Sequence, residues 1–449
     1  MNQKREINPA RILLFGYISI IIVGALLLCL PFSTTKSISF IDALFTSTSA
    51  LCVTGLIVKN TAIDFTIWGK LIILLLIQIG GLGYMTLSTS FFFFLGKKIS
   101  LRDRMLFKES VNILSYDNLM RFAWRIFRIT FVVELIGAAL LYFCFRQKFG
   151  GTSAAGHAIF HSISAFCNAG FSTFSENLSL VSDNWVVPVI CTMLIVTGGI
   201  GFIVISDIYY VLIKKIRRDL SLHTKIVLYT TVVLIIVGAV FIFLNEGQRI
   251  LDQYPLPMKI IHSIFQAITP RTAGFNTVNI SLFSPVTIFL LVILMFIGAS
   301  PGGTGGGIKT STFTLLLIWI KELLFGRYRT DITTMKRRIP VEQAMRSFLL
   351  ISLSFSSIVI AFFIIMLIDQ PDPMKLVFEI FSAFGTVGLS LGSGIYPGCS
   401  YVCDFSSISK LVIILIMLIG RVGTLTIGSA LIKPHSLDFS YPEESIVVG

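Results

Sequence analysis

Apolar residues run nearly unbroken for about twenty positions at a time, give way to short half-polar segments, and resume, along the whole chain. Residues 12–30, 71–95 and 411–432 are examples. Each run is long enough to cross about 30 Å of hydrocarbon as a helix. The pattern predicts eight crossings, at about residues 10–30, 67–95, 122–146, 185–213, 224–244, 283–323, 342–368 and 408–432. The first run lacks a small-residue cleavage pattern and is followed by more spans, so it reads as a retained helix.

Between the runs lie segments that are too short and too polar to span. Four of them align on one glycine: FTSTSALCVTGL on Gly55, FHSISAFCNAGF on Gly170, IFQAITPRTAGF on Gly274 and FEIFSAFGTVGL on Gly388. The glycines recur about every 110 residues, and three of the four copies share an SA(L/F)xxxG core. A fixed repeat of this kind marks one structural unit used several times. One such glycine would serve an ordinary turn; four in register would not. Non-helical backbone at membrane depth survives only where protein or a watery cavity surrounds it, so the four loops belong around one axis. A short helix entering each loop would aim its negative C-terminal end at the centre. Glycine lets the returning backbone approach an ion closely, and a ring of carbonyls can replace a cation's hydration shell. The expectation is an all-α polytopic membrane protein of four tandem helix, pore loop, helix units. Its boundaries fall at residues 1–96, 97–220, 221–330 and 331–449.

A second repeat follows each loop: IGGLG at 79–83, TGGIG at 197–201, IGASPGG at 297–303 and IGRVG at 419–423. In the first two copies the small residues imply close helix packing. The third is different. Ala299, Ser300, Pro301, Gly302, Gly303, Thr304, Gly305, Gly306 and Gly307 sit in the middle of an apolar run of about forty residues, twice the length a span needs. The helix must break there, into a loop just inside the glycine ring that could block or clear the path. In the fourth copy Arg421 occupies the slot of Gly81, Gly199 and Ala299. An arginine at that depth is costly unless it faces polar protein or water, so it is expected to face the cavity, bond the broken loop and oppose passing cations. Lys309 is expected to snorkel to the inner surface. A phosphate-binding reading of the glycine run fails, because Ile308 separates Gly307 from Lys309.

Composition agrees with the pattern. The chain is 55% hydrophobic and 13% charged, against about 25% charged in soluble domains. The net charge of +13 would suggest nucleic acid in a soluble protein, but its distribution says otherwise. Twenty-two Lys and Arg fall at the N-terminus, in residues 97–121, 214–225 and 321–346, and at Lys433, whereas the alternate connections carry eight. The positive-inside rule then puts both termini and the basic loops in the cytoplasm, where they could also meet anionic lipid or a cytosolic partner. Seven cysteines and five histidines form no metal-binding pattern; Cys399 and Cys403 share an outward-facing loop and are close enough in sequence to pair.

With these residues in view, the chain resembles the bacterial KtrB and TrkH potassium transporters, KtrB most. The four filter segments, QIGGLGYMT, TGGIGF, FQAITPRTAGFN, EIFSAFGTVGL and MLIGRVGTLT carry the resemblance over essentially the full length. It implies a pseudo-fourfold pore within one subunit, a homodimer in the plasma membrane of a bacterium, gating by a cytosolic nucleotide-binding ring of the KtrA type, and sodium dependence. It also maps the filter carbonyls onto Val53, Thr54 and Gly55; Asn168, Ala169 and Gly170; Thr272, Ala273 and Gly274; and Thr386, Val387 and Gly388, with potassium bound there. The gate maps onto the loop of residues 299–307 with Arg421. That loop is nearly all glycine, nearer the TrkH pattern than the Ala- and Ser-rich loops of KtrB. All four ring positions are glycine, where sodium-permeable plant relatives place serine in the first, so potassium preference is expected. Two other readings remain at this point: a secondary carrier built on broken helices, and a sodium-permeable relative. An intramembrane hydrolase lacks a Ser with His, a paired Asp or an HExxH set at span depth.

Overall fold

The computed structural model describes residues 9–83, 86, 119–213, 215, 219–326 and 331–431. The basic segments at 97–118, 216–218 and 327–330, Lys4, Arg5 and Lys433 lie outside the described residues, so the charge-based topology is not traced through them.

The chain runs through four similar sets of helices. The first comprises α1 (Pro9–Leu28), α2 (Phe40–Leu51) and α3 (Ile67–Leu82), and the second α4 (Leu119–Phe149), α5 (Gly151–Phe166), α6 (Val186–Gly199) and α7 (Phe202–Ile208). The third comprises α8 (Leu222–Glu246), α9 (Leu256–Ile268), α10 (Pro285–Phe296) and α11 (Thr310–Leu324). A short antiparallel hairpin of β1 (Asp331–Thr334) and β2 (Arg337–Pro340), pairing Asp331 with Pro340, leads into the fourth. That set holds α12 (Val341–Asp369), α13 (Pro373–Gly385), α14 (Ser407–Val422) and α15 (Thr424–Leu431).

In each set the outer helix is long and apolar: α1, α4, α8 and α12 all have the length and composition to cross a membrane. Their outward side chains are large and apolar, among them Val23, Phe131, Val237 and Phe355. The interior reverses this. Thr46, Ser47, Thr48 and Ser49 of α2 are all buried, their hydroxyls bonded to backbone carbonyls of α1, α2 and the following loop. Apolar residues outside and satisfied polar residues inside are what lipid as solvent demands.

The second helix of each set is a short descending helix, and the third is the inner helix. Side-chain caps start most of them: Ser39 accepts from Asp42 N, Thr66 from Gly69 N, Asp372 from Met374 and Lys375 N, and Ser406 from Ser409 N. The inner helices α3, α6, α10 and α14 have 16, 14, 12 and 16 residues, about 18–24 Å at 1.5 Å per residue, so none alone crosses. Each inner helix packs on the short helix of the next set: α3 on α5, α6 on α9, α10 on α13, and α14 back on α2. That cyclic contact closes four tandem sets into a ring. Arg11 Nε, donating to Ala430 O at 2.7 Å, ties the two ends of the described chain together.

Two spans expected to be straight are not. The α6–α7 pair bends by 95° and the α14–α15 pair by 100°, at Gly201 and Gly423, whose φ values are 97° and 96°. Hydropathy runs on through both glycines, so the pattern alone gives a continuous helix; the left-handed backbone ends it. The equivalent Gly83 caps α3 with φ 77°, and the rest of the expected 67–95 span lies mostly outside the described residues. The expected break within 283–323 is present, between Phe296 and Thr310.

Candidate functional site

Each short helix ends in a loop of the same shape. Val53, Asn168, Thr272 and Thr386 have φ of 57°, 60°, 83° and 49°, and two residues later Gly55, Gly170, Gly274 and Gly388 have φ of 92°, 69°, 74° and 90°. Left-handed backbone at two of three successive residues, one of them not glycine, is strained. It persists here because the loop is held at both ends. In the first loop Thr54 N donates to Ser49 O at 2.7 Å, Gly55 N to Ser49 Oγ at 3.1 Å, and Ser49 Oγ to Leu56 O at 2.7 Å. Ser164 repeats this, taking Ala169 N on its carbonyl at 2.7 Å and giving its hydroxyl to Phe171 O at 2.7 Å. Ser382 takes Val387 N on its carbonyl and Gly388 N on its hydroxyl. In the third loop Thr269 does the same work, one residue nearer the glycine, donating to Phe275 O at 2.5 Å. These clamps were not singled out from the sequence, although the serine of the SA(L/F)xxxG core was the signal.

The four loops meet. A Cβ added to Gly55 would lie 2.4 Å from Ala169 O, one on Gly170 3.0 Å from Ala273 O, one on Gly274 2.2 Å from Val387 O, and one on Gly388 2.1 Å from Thr54 O. Each glycine therefore abuts the carbonyl of the middle residue of the next loop, and the fourth abuts the first. All twelve loop residues expected to form the ring lie in these loops, and the eight that are not glycine are buried among protein atoms. Asn168 and Thr272 touch across the second and third loops, with side-chain atoms 3.1 Å apart. Above the ring opens a vestibule of about 440 Å³, lined by the four glycines and by polar residues such as Asn60, Ser172, Asn276 and Ser390. Asn177, another residue missed in the sequence, reaches back with its amide to Gly170 O and Gly274 O, both at 3.4 Å.

Below the ring lies the broken third inner helix. Ile297 and Ile308 pair as a parallel bridge, with Gly298 N donating to Ile308 O at 2.9 Å, so residues 299–307 form a closed loop. Ser300 N and Thr304 N donate to Gly199 O and Gly198 O, and Gly307 N to Gly420 O, which ties the loop to α6 and α14. Beyond Pro301, Gly302 O accepts from Phe202 N at 2.9 Å, and Gly303 packs against the carbonyls of Gly198 and Gly199. Added Cβ atoms on Gly305 and Gly306 would strike the hydroxyls of Thr272 and Thr386, at 2.0 and 2.4 Å, so the loop is pressed against the underside of the ring.

Arg421 bridges across the structure, its guanidinium donating to Thr304 O of the loop and to Gly80 O of α3. Lys309 does not snorkel. Its Nζ turns back to donate to Gly305 O at 2.6 Å and lies 3.5 Å from Gly306 O; those bare carbonyls satisfy the ammonium nearer than solvent can. The close packing expected of the first two copies of the second repeat is present at Gly80 and Gly198, and Gly420 of the fourth copy packs in the same way. Gly80, Gly198 and Gly420 lie so close to Leu51 O, Phe166 O and Phe384 O that a Cβ would come within 1.9 Å. Cys399 and Cys403 are both free thiols, and Cys403 Sγ donates to Val58 O at 3.2 Å.

Four re-entrant loops converging on a glycine ring, inside a helical scaffold with a lipid-facing apolar exterior, define a polytopic pore-loop membrane protein. A family model described as TrkH, cation transport protein, matches residues 16–440, and the chain belongs to that family. It is 37% identical over 446 residues to the Ktr system potassium uptake protein B of Bacillus subtilis, covering 98% of this chain and 97% of that one. It is 35% identical to the potassium/sodium uptake protein NtpJ of Enterococcus hirae, covering 99% and 98%. The crystal structure of the potassium transporter TrkH from Vibrio parahaemolyticus superposes with a TM-score of 0.74 at 20% identity, over 97% of this chain and 87% of that one; it shares the fold.

Proposed function

We propose that this chain takes up potassium across the plasma membrane of a bacterium by channel-like conduction through the glycine ring. The observation that carries the reading is the cyclic closure of the ring, in which each glycine abuts the next loop's carbonyl and Gly388 abuts Thr54. Four descending helices end at these loops, and their C-terminal dipoles favour a cation at the centre. The carbonyls of Val53, Thr54, Gly55 and their equivalents would take the place of water around the ion. Only glycine is common to all four loops, so one principal ion site is expected. The names of the relatives from B. subtilis and E. hirae point to the same cargo.

On this reading the loop of residues 299–307 is the gate, in a closed position, with Arg421 as its latch. The chain divides into four pore units near residues 96, 220 and 330, with both termini in the cytoplasm. It assembles as a homodimer and responds to a cytosolic nucleotide-binding ring, for which the Ktr system name of the B. subtilis relative speaks. A second reading, passage of sodium alongside or coupled to potassium, is favoured by the name of the E. hirae relative. Uptake of labelled Rb⁺ by a potassium-uptake-deficient bacterium expressing the chain, with and without sodium, tests both. Growth rescue with Rb⁺ entry is expected; no entry from a correctly inserted protein would overturn the proposal.

A further inference from the structure

One helical turn before each clamp hydroxyl, on the same face of the short helix, stands another fully buried polar residue: Thr46, His161, Gln266 and Glu379, all with 1% exposure or less. Residues spaced by three share a helix face, so this is a second polar layer behind the ring. Three of the four reach outward to the chain that leaves it. His161 Nε2 lies 2.8 Å from Ser172 Oγ, and Gln266 Nε2 3.5 Å from Thr277 Oγ1. Glu379 Oε1 accepts from Val402 N at 3.2 Å. Among the described residues Thr46 bonds only to Asp42 O in its own helix, so this layer gives the first loop no outward support beyond its Ser49 clamp.

That support comes from the fourth loop. Ser400, two residues before Val402, takes Ile57 N on its hydroxyl and gives its own N–H to Ile57 O, both at 2.9 Å. Ile57 is two residues past Gly55, the counterpart of Ser172 past Gly170. Tyr401 N, between them, donates to Ser390 Oγ at 2.8 Å, and Ser390 is two residues past Gly388. The segment 400–402 is thus bonded to the outer side of the ring in the fourth loop and in the first, and Glu379 holds it from behind.

We infer that Glu379 is a positioning residue for ion selectivity, fixing through Val402 and Ser400 the outer halves of the fourth and first loops. It rests on the proposal that the ring is the filter. Glu379→Gln keeps an acceptor for Val402 N and is expected to leave ion discrimination near that of the original chain. Glu379→Ala removes it and is expected to weaken Rb⁺ over Na⁺ discrimination by about fivefold, the order one lost buried hydrogen bond allows. Ser400→Ala, which leaves Glu379 intact, is expected to move discrimination in the same direction, and the double variant to fall short of the product of the two. The measurement is Rb⁺ uptake into proteoliposomes in competition with Na⁺, on protein of original elution volume. Should Glu379→Ala not fold, Ser400→Ala decides alone. Unchanged discrimination in the folded variants overturns the inference, as does a Gln variant as impaired as the Ala one. If Gly55→Ser still alters the ion ratio in the same assay, the filter proposal stands while this inference falls; if neither ring nor support variants alter it, the filter proposal falls first.

Discussion

Gly388 and Gly55, the last and first of the ring, sit side by side: a Cβ on Gly388 would lie 2.9 Å from the Gly55 Cα and 2.1 Å from Thr54 O. One chain therefore closes on itself, and a distortion in any loop is passed to its neighbour through a carbonyl.

The room at the four glycines is unequal, and this ranks their substitutions. Alanine at Gly388, Gly274 or Gly55 would drive a methyl to within 2.1–2.4 Å of a neighbouring carbonyl, whereas at Gly170 the gap is 3.0 Å. All four also carry a left-handed φ that costs a side chain about 1–2 kcal/mol. Gly388→Ala, Gly274→Ala and Gly55→Ser should each reduce Rb⁺ over Na⁺ discrimination by about tenfold, about 1.4 kcal/mol, and Gly170→Ala by less. Competitive uptake assays check the order; equal effects at all four sites would contradict the carbonyl-contact argument.

Among the described residues, Arg421 is the one side chain whose hydrogen bonds tie the loop below the ring to α3. Removing it leaves Thr304 O and Gly80 O without their charged donor, and such bonds are worth about 1.5–3 kcal/mol each. Arg421→Ala should raise resting Rb⁺ flux by about tenfold or more in the absence of any cytosolic partner. A folded variant with reduced flux would show that the arginine supports conduction rather than closure.

Lys309 closes the same loop from its other side, through Gly305 O and Gly306 O. Lys309→Met keeps the length of the side chain and loses the donor. Its flux should rise several-fold, by less than that of Arg421→Ala, since no bond to another helix is lost. A flux equal to the original would assign the lysine to folding alone.

The clamp hydroxyls are a stability matter. Ser164→Ala strips the buried Phe171 O of its partner, a loss of about 1–2 kcal/mol, and should lower the melting temperature in detergent measurably while leaving expression intact. Thr269→Ser retains the hydroxyl and should be near neutral. A Ser164→Ala protein as stable as the original would mean that water replaces the hydroxyl.

What could be read from the sequence follows from what repeats in it. Gly55, Gly170, Gly274 and Gly388 stood out because four segments aligned on them, and the break at residues 299–307 because glycine there interrupts an otherwise overlong apolar run. The bends at Gly201 and Gly423 were hidden, since a lone glycine within continuous hydropathy is compatible with a helix and only its φ betrays the turn. Thr269 was hidden because the third loop carries its clamp one residue out of register with the others. The sequence lets Lys309 snorkel because its chain is long enough; where its ammonium goes depends on carbonyls that only the folded loop brings near. The hairpin at Asp331–Pro340 lies in a basic stretch whose charge bears on sidedness and carries no signal of shape.

On the proposed function, the ring of Gly55, Gly170, Gly274 and Gly388 holds the transported ion. Anomalous diffraction from crystals of the protein grown in Rb⁺ measures this directly. A peak on the axis of the ring, among the carbonyls of Thr54, Ala169, Ala273 and Val387, is the expected result. An axis empty of Rb⁺ in a protein that transports it, with the peak lying elsewhere in the membrane region, would place the ion site outside the ring.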